Sequence, residues 1–239
     1  MAVRAAVQYI GQYVLRELGL ATYVPASVAA AATSMRVMDI SIFDPAGGQC
    51  FVEDSDALIT YTSIQDDSLS GIPSSGTGSI AATINEYTNA SRDLIVRADL
   101  ISAYELERFI DRHRVWIEPP LEAFPDVEKK RYSCARGWFD TGVSLRDSNG
   151  STYNSVTADT INYENGTFEF TSARTNSLLY VAGWGYNPYL TIADIIETIA
   201  HDRRWSKYSQ IGQMSEVQTA AGELANVYRA RGSVLSFIS

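Results

Sequence analysis

Hydrophobic residues recur at helical spacing in four stretches of this chain and alternate with polar ones in several others. Val3, Val7, Ile10, Val14 and Leu18 share one helical face and Gly19 offers a stop, so the spacing predicts a helix over residues 2–20. Tyr9 and Tyr13 sit on the other face, which carries few charges, as expected of a helix packed between neighbours. Residues 97–113 return to the helical period through Leu100, Ala103, Leu106 and Ile110, and Pro119-Pro120 predicts an end to whatever follows. Thr191 with Asp194 makes a capping-box-like start for a helix burying Ile192, Ile195, Ile196 and Ile199. Ser215 with Gln218 repeats the device before Val217, Ala221, Leu224 and Tyr228, and Gly232 is the expected stop.

Between these stretches the period changes to that of strands. Met38, Ile40 and Ile42 alternate with Asp39 and Ser41, and a turn follows at Asp44-Pro-Ala-Gly-Gly. Residues 58–62 and 80–84 are further strand candidates, separated by a long loop at 66–79 rich in Ser, Gly and Asp. Residues 131–182 are again strand-like, with turns at 147–150 and at Asn165-Gly166. Asn-Gly suits the two positive φ angles of a type I′ turn, which would set Ile161 and Tyr163 across from Phe168 and Phe170. The expected fold class is therefore α+β in a single chain of residues 1–239. Its helical core (N-terminal helix, central helix, two C-terminal helices) would span about 1–32, 97–120 and 187–232, with a β-hairpin and additional antiparallel β segments at about 35–96 and 131–186. Residues 233–239 form a short apolar arm. Val234, Leu235, Phe237 and Ile238 would be costly to leave in water, so the arm is expected to dock on something.

Composition narrows the functional classes. With 239 residues, 46% of them hydrophobic, the chain can build a sizeable core of soluble globular type. A formal charge of −9 argues against a dedicated nucleic-acid binder, which would show a basic stripe, but not against DNA that merely slides past. Cys50 and Cys134 have no CxxC partner and are expected to be free thiols. Arg4, Arg16 and Glu17 interrupt the N-terminal apolar run, which has neither a signal-peptide layout nor the length to span a bilayer. The expected setting is a cytosol, or a particle assembled in one.

Chemistry is hard to find. His113, among Asp111, Arg112 and Arg114, is expected to be a solvated, dipole-compensating helix end, and His201 precedes Asp202, Arg203 and Arg204 on a polar face. No Ser or Cys joins His and Asp in an elbow, and no P-loop or GxGxxG is present, so no catalytic residue and no cofactor is expected. Glu53, Asp54 and Asp56 lack the Gly and Glu positions of an EF-hand and read as a solvated acidic loop, with no metal. Arg203, Arg204 and Lys207, interleaved with Trp205 and followed by Tyr208, are the densest basic cluster. They fit either a patch for an anionic partner or an exposed helix end. Glu128-Lys-Lys-Arg reads as a solvated turn, and the 14 tyrosines suit interfaces and sheet surfaces alike.

One phrase carries a resemblance. Tyr180-Val-Ala-Gly-Trp-Gly-Tyr-Asn-Pro188, the helix at 192–200 and the Asn165-Gly166 hairpin resemble the head–tail connector (adaptor, or head-completion) proteins of tailed bacteriophages. The likeness covers fewer than half of the residues, and 35–90 and 131–158 exceed what that family's core needs. It implies a structural subunit of the virion neck, assembled in the bacterial host cytoplasm without membrane or cofactor. Copies of the chain would form a ring, of dodecameric type, beneath the portal protein, through which double-stranded DNA passes during genome ejection without sequence-specific binding. A stopper or tail-terminator protein would follow. By the same resemblance Val234, Leu235, Phe237 and Ile238 would be the portal-docking arm, and 217–228 the helix leading to it. Tyr9, Tyr13, Trp184, Tyr186, Trp205 and Tyr208 are the expected subunit or next-ring contacts. Carboxylates along such a channel would repel DNA phosphates. Two alternatives stand beside this: a stopper or tail-completion ring protein of the same neck, or a β-rich module binding host surface or glycan through 35–90 and 131–158.

Overall fold

The computed structural model describes residues 5–52, 58–86, 94–97, 101, 103–148, 153–175, 178–201 and 214–236. The protein is mostly β. Fourteen strands among the described residues form three antiparallel sheets, which overturns the expected α+β fold with a helical core. The helices are α1 (Gln8–Glu17, after a 3-10 turn at Ala5–Val7), α2 (Ala103–Arg112), α3 (Pro188–His201) and α4 (Met214–Ser236). Helical period shows that a segment is amphipathic; it does not say that its neighbours are helices too. Helix α1 ends as its sequence predicts. Gly19, at φ 63°, lets its own N–H reach Arg16 O and that of Leu20 reach Leu15 O, closing a Schellman cap.

The chain divides into two compact units, one built mainly of Gly11–Arg108 and the other mainly of Phe109–Asp194 with Ala5–Ile10 and Glu223–Ser239. The first unit holds two small sheets. Strands β1 (Ala21–Tyr23), β3 (Gly48–Val52), β4 (Leu58–Tyr61) and β7 (Leu94–Arg97) run in the order β1-β7-β3-β4. Strands β2 (Ser34–Arg36), β5 (Ser63–Gln65) and β6 (Ser68–Ser70) run in the order β2-β6-β5. Met35, Phe43, Cys50, Ile59, Leu69, Ile72 and Ile80 belong to one buried cluster there. Burial in that apolar setting pushes the Cys50 thiol up to about 12, as expected of an inert free cysteine.

Three strand-and-loop expectations fail in this unit. Residues 38–42 are turn and bend rather than strand, because Ile40 and Ile42 pack on the cluster from irregular backbone while Met38 is exposed. Residues 80–84 make only an isolated bridge, Val28 to Ile84. The expected long loop at 66–79 begins instead as a hairpin. Asp66 and Asp67 both take positive φ (45° and 56°) and close the two-residue turn between β5 and β6, where Gln65 pairs with Ser68.

The second unit is one seven-stranded sheet. It comprises β8 (Arg114–Pro125), β9 (Arg131–Cys134), β10 (Ser144–Ser148), β11 (Tyr153–Val156), β12 (Thr160–Asn162), β13 (Thr167–Glu169) and β14 (Leu179–Tyr186). Their order is β11-β10-β14-β8-β9-β13-β12. Tyr132, Phe139, Phe168, Leu179 and Val181 are fully buried in its core, each worth about 1.5–3 kcal/mol of apolar burial. Strand β8 occupies residues expected to be helical or broken by proline. Pro119 and Pro120 fit because the ladder to β14 shifts register there. Ile117 pairs with Gly183 and Leu121 with Val181, so the residues between them fall in a bulge that needs no regular hydrogen bonds. Beyond it, the β8–β9 connection at 126–130 is the solvated turn that Glu128-Lys-Lys-Arg predicts.

The Asn165-Gly166 hairpin exists, with Ile161 opposite Phe168, but its turn is not type I′. Only Gly166 has positive φ (64°), and the loop spans 163–166. Tyr163 is therefore in the loop rather than paired with Phe170. Neighbouring backbone dictates this: Cys134, Trp138 and Phe139 donate their N–H groups to the carbonyls of Gly166, Glu164 and Tyr163.

Both C-terminal helices also depart from their expected caps. Helix α3 starts at Pro188, as the proline-started reading of this segment expects, and not at the Thr191 capping box. Asn187 is its cap, accepting from Leu190 N at 3.2 Å, while Thr191 lies inside the first turn and bonds back to Asn187 O. Helix α4 runs through Gly232 instead of stopping there. Gly232 is a packing residue: its carbonyl accepts from Asn187 Nδ2 at 2.8 Å, and a Cβ would stand 2.7 Å from Leu190. Ala225, Tyr228 and Gly232 face inward, while Leu224, expected to be buried, is about half exposed with Val227.

Candidate assembly surface

The outward face of β8 and β14 presents large side chains to solvent. From Leu179 to Trp184 burial alternates along β14: Leu179, Val181 and Gly183 point to the core, and Tyr180, Ala182 and Trp184 point away from it. Trp184 is the direct cross-strand partner of Trp116, and their rings meet edge to face with centroids 5.2 Å apart at 74°. The Arg114 guanidinium stacks 4.6 Å above the Trp184 ring. Trp116 is 48% exposed, whereas Val115, opposite Gly185, lies on the other face of the sheet. Along the same strand Phe124 is exposed as well, and Arg146, Tyr180 and Glu122 are cross-strand neighbours in one row. Aromatic rings with arginine are the residue types that dominate binding energy at protein interfaces.

The residues just beyond Trp184 serve the interior. Tyr186, expected at a subunit contact, is fully buried and donates its hydroxyl to Asp140 Oδ2 at 3.2 Å. Tyr9 is also engaged within the fold. Its hydroxyl donates to Phe139 O at 2.6 Å, its ring lies parallel to Trp138 at 6.0 Å, and burial, then Glu164 and Asp140, hold the phenol well above its ordinary pKa. Tyr13 is half-buried. Asn187 gathers the local backbone. Its N–H donates to His113 O, its side chain caps α3 and reaches Gly232 in α4, and its carbonyl takes both bonds from Thr191.

Charged groups near this junction are mostly paired. His113 is not a solvated helix end: its Nε2 lies 2.9 Å from Asp194 Oδ2, and Arg229 Nη2 lies 4.0 Å from the other carboxylate oxygen. Arg174 pairs with Asp147 at 2.6 Å and stacks on Phe170. Arg136 is the exception. It is 2% exposed and donates Nη2 to Tyr186 O at 3.3 Å, while Nε and Nη1 find no acceptor among the described residues. Burial lowers its pKa. The Cys134 thiol, half-buried and free, is pushed up to about 12 by the same desolvation.

Several expected contacts lie elsewhere. Val234 is in the last turn of α4 and 64% exposed. Leu235 belongs to the same turn, and its side chain is outside what the structure describes. Phe237 and Ile238, together with Trp205, Tyr208, Arg203, Arg204 and Lys207, lie outside the described residues, as do Glu53, Asp54 and Asp56. His201 closes α3. Among the described residues no group of His, Cys, Asp and Glu is placed to hold a metal, and no helix is long and apolar enough to cross a membrane.

Sequence reasoning picked out Trp184 but missed Arg114, Trp116 and Phe124. The available signal was Val115-Trp116-Ile117, a β-branched and aromatic run directly after a helix end, hidden by reading Pro119-Pro120 as a stop. Compared with protein-family models, curated proteins and solved structures, the chain matches none.

Proposed function

We propose that this chain is a non-catalytic structural subunit of a tailed-phage neck. It assembles with copies of itself into a ring that joins the portal of the DNA-filled head to the tail and lets the genome pass. One observation carries the reading. The phrase from Tyr180 to Pro188 that resembles the connector family forms a strand, an Asn187 cap and a proline-started helix in that order, and it places Trp184 in an exposed aromatic–arginine corner. Such a corner supplies the anchors that repeated subunit contacts need. An adaptor directly beneath the portal is preferred to a stopper because the last turn of α4 carries exposed Val234 toward the expected arm. A glycan-binding module has less support: the two indoles cross at 74° and Arg114 covers one of them, which leaves no flat sugar platform.

The test is to mix the purified chain with the portal ring of the same particle and image the product by electron microscopy. A ring of this subunit seated on the portal is expected, and deleting residues 234–239 should leave the fold intact, read by thermal denaturation, while abolishing attachment. A chain that neither forms rings nor co-sediments with the portal would overturn the reading. Normal attachment by the truncated chain would remove the arm's role.

A further inference from the structure

Resting on that ring reading, we propose that neighbouring subunits join head to tail. The acidic turn Asp66-Asp67 of one copy seats on the Arg114–Trp116–Trp184 corner of the next. Charge complementarity singles out the occupant. Residues 11–108 carry thirteen Asp and Glu against five Lys and Arg, so this stretch repels its own kind and is drawn to a cationic surface. Within it, the β5–β6 turn presents two adjacent, exposed carboxylates at the tightest end a hairpin can have. Their existing partner is weak: Arg36 reaches Asp67 only at 3.9 Å, with both side chains about two-thirds exposed.

The receiving corner has the matching chemistry. Arg114 is held in place by its stack on Trp184, with its side chain 41% exposed. Asp111 touches the same guanidinium at 4.0 Å, an exposed contact of little worth, so the fork keeps donors for an incoming carboxylate. Trp116 supplies apolar area beside it, which a partner would dry. Turn and corner are different surfaces, one from each unit, so the contact is heterologous and propagates from copy to copy; a rotation that closes makes a ring.

The experiment compares ring formation by the full chain, alone or on the portal, for Arg114→Gln, for the pair Asp66→Asn and Asp67→Asn, and for a charge swap. The swap combines Arg114→Glu with Asp66→Asn and Asp67→Lys, and Lys129 at φ 53° shows that a single lysine is accommodated in that conformation here. The asparagine pair tolerates positive φ and keeps the turn, so the neutralised chain folds. Arg114→Gln and the asparagine pair should each weaken subunit association about tenfold or more, and the swap should recover most of it. Wild-type rings with undiminished assembly by both neutral variants would overturn this contact and leave the ring reading standing. Loss without recovery in the swap would reject Asp66-Asp67 as the occupant. No assembly by the wild type under any condition sinks the contact and the ring together.

Discussion

Two hairpins, one in each unit, share a plan and differ at the turn. In β5–β6 and in β12–β13 each strand has three residues, three pairs form, and the central pair is an isoleucine facing a fully buried partner. That pair is Ile64 with Leu69 in the first and Ile161 with Phe168 in the second. Yet the Asn-Gly pair, the best local signal for a two-residue type I′ turn, closes a four-residue loop. The Asp-Asp pair, a poorer choice, closes the tight one. The reason is what each turn touches. Three N–H groups of residues 134–139 pull the carbonyls of the 163–166 loop outward, whereas the Asp66-Asp67 turn meets a single backbone donor, Val37 N on Asp67 O. Turn type follows the dipeptide only where nothing else claims the loop.

Substitutions at matched positions break or sharpen this contrast. The largest effect is expected in the two cores. Phe168→Ala should cost about 3–5 kcal/mol and Leu69→Ala about 2–4 kcal/mol by urea unfolding. If Leu69→Ala proves the costlier, the small sheet's core relaxes less around its cavity than the seven-stranded sheet's does. Next is Gly166→Ala, which forces a side chain to positive φ and sets its Cβ 2.2 Å from Arg136 O. It should cost about 2–3 kcal/mol, and thermal denaturation is the simplest measure. A neutral result would mean that the loop is not pinned as described. The smallest change goes the other way. Replacing Asp66-Asp67 with Asn-Gly should stabilise the chain by about 0.5–1 kcal/mol, since that pair adopts the turn without the backbone strain and the charge repulsion. Destabilisation instead would show that the carboxylates serve the subunit's own fold.

These results also mark how far the sequence could be read. The helix starting near 190, the α1 stop at Gly19, the free thiols and the 131–182 strands were legible because each rests on local chemistry. The sheet-dominated fold was not. Period reveals which face of α3 is apolar, but not that the preceding strand sits in a sheet of seven. Gly232 read as a stop because a helix-ending glycine and a close-packed one look alike in one dimension; the contact with Leu190 tells them apart. Half of the exposed corner was readable at Trp184. The other half needed the pairing of Trp116 with Trp184, which sequence separation conceals.

The two prolines in β8 bear on how this chain avoids the wrong company. Strand β9 pairs with β8 only at residues 123–125, so among the described residues the stretch from Arg114 to Pro120 has no strand on that side. Bare sheet edges invite stray strands and, with them, clumping. Neither Pro119 nor Pro120 has an N–H to offer an incoming strand, and the bulge that holds them breaks the regular ladder there. The tryptophans can then stay available to a chosen partner while the backbone beneath them gives an incoming strand a broken ladder. In the ring proposed above, where many copies would meet, that separation would let the chain be sticky through side chains without being amyloid-prone through its main chain.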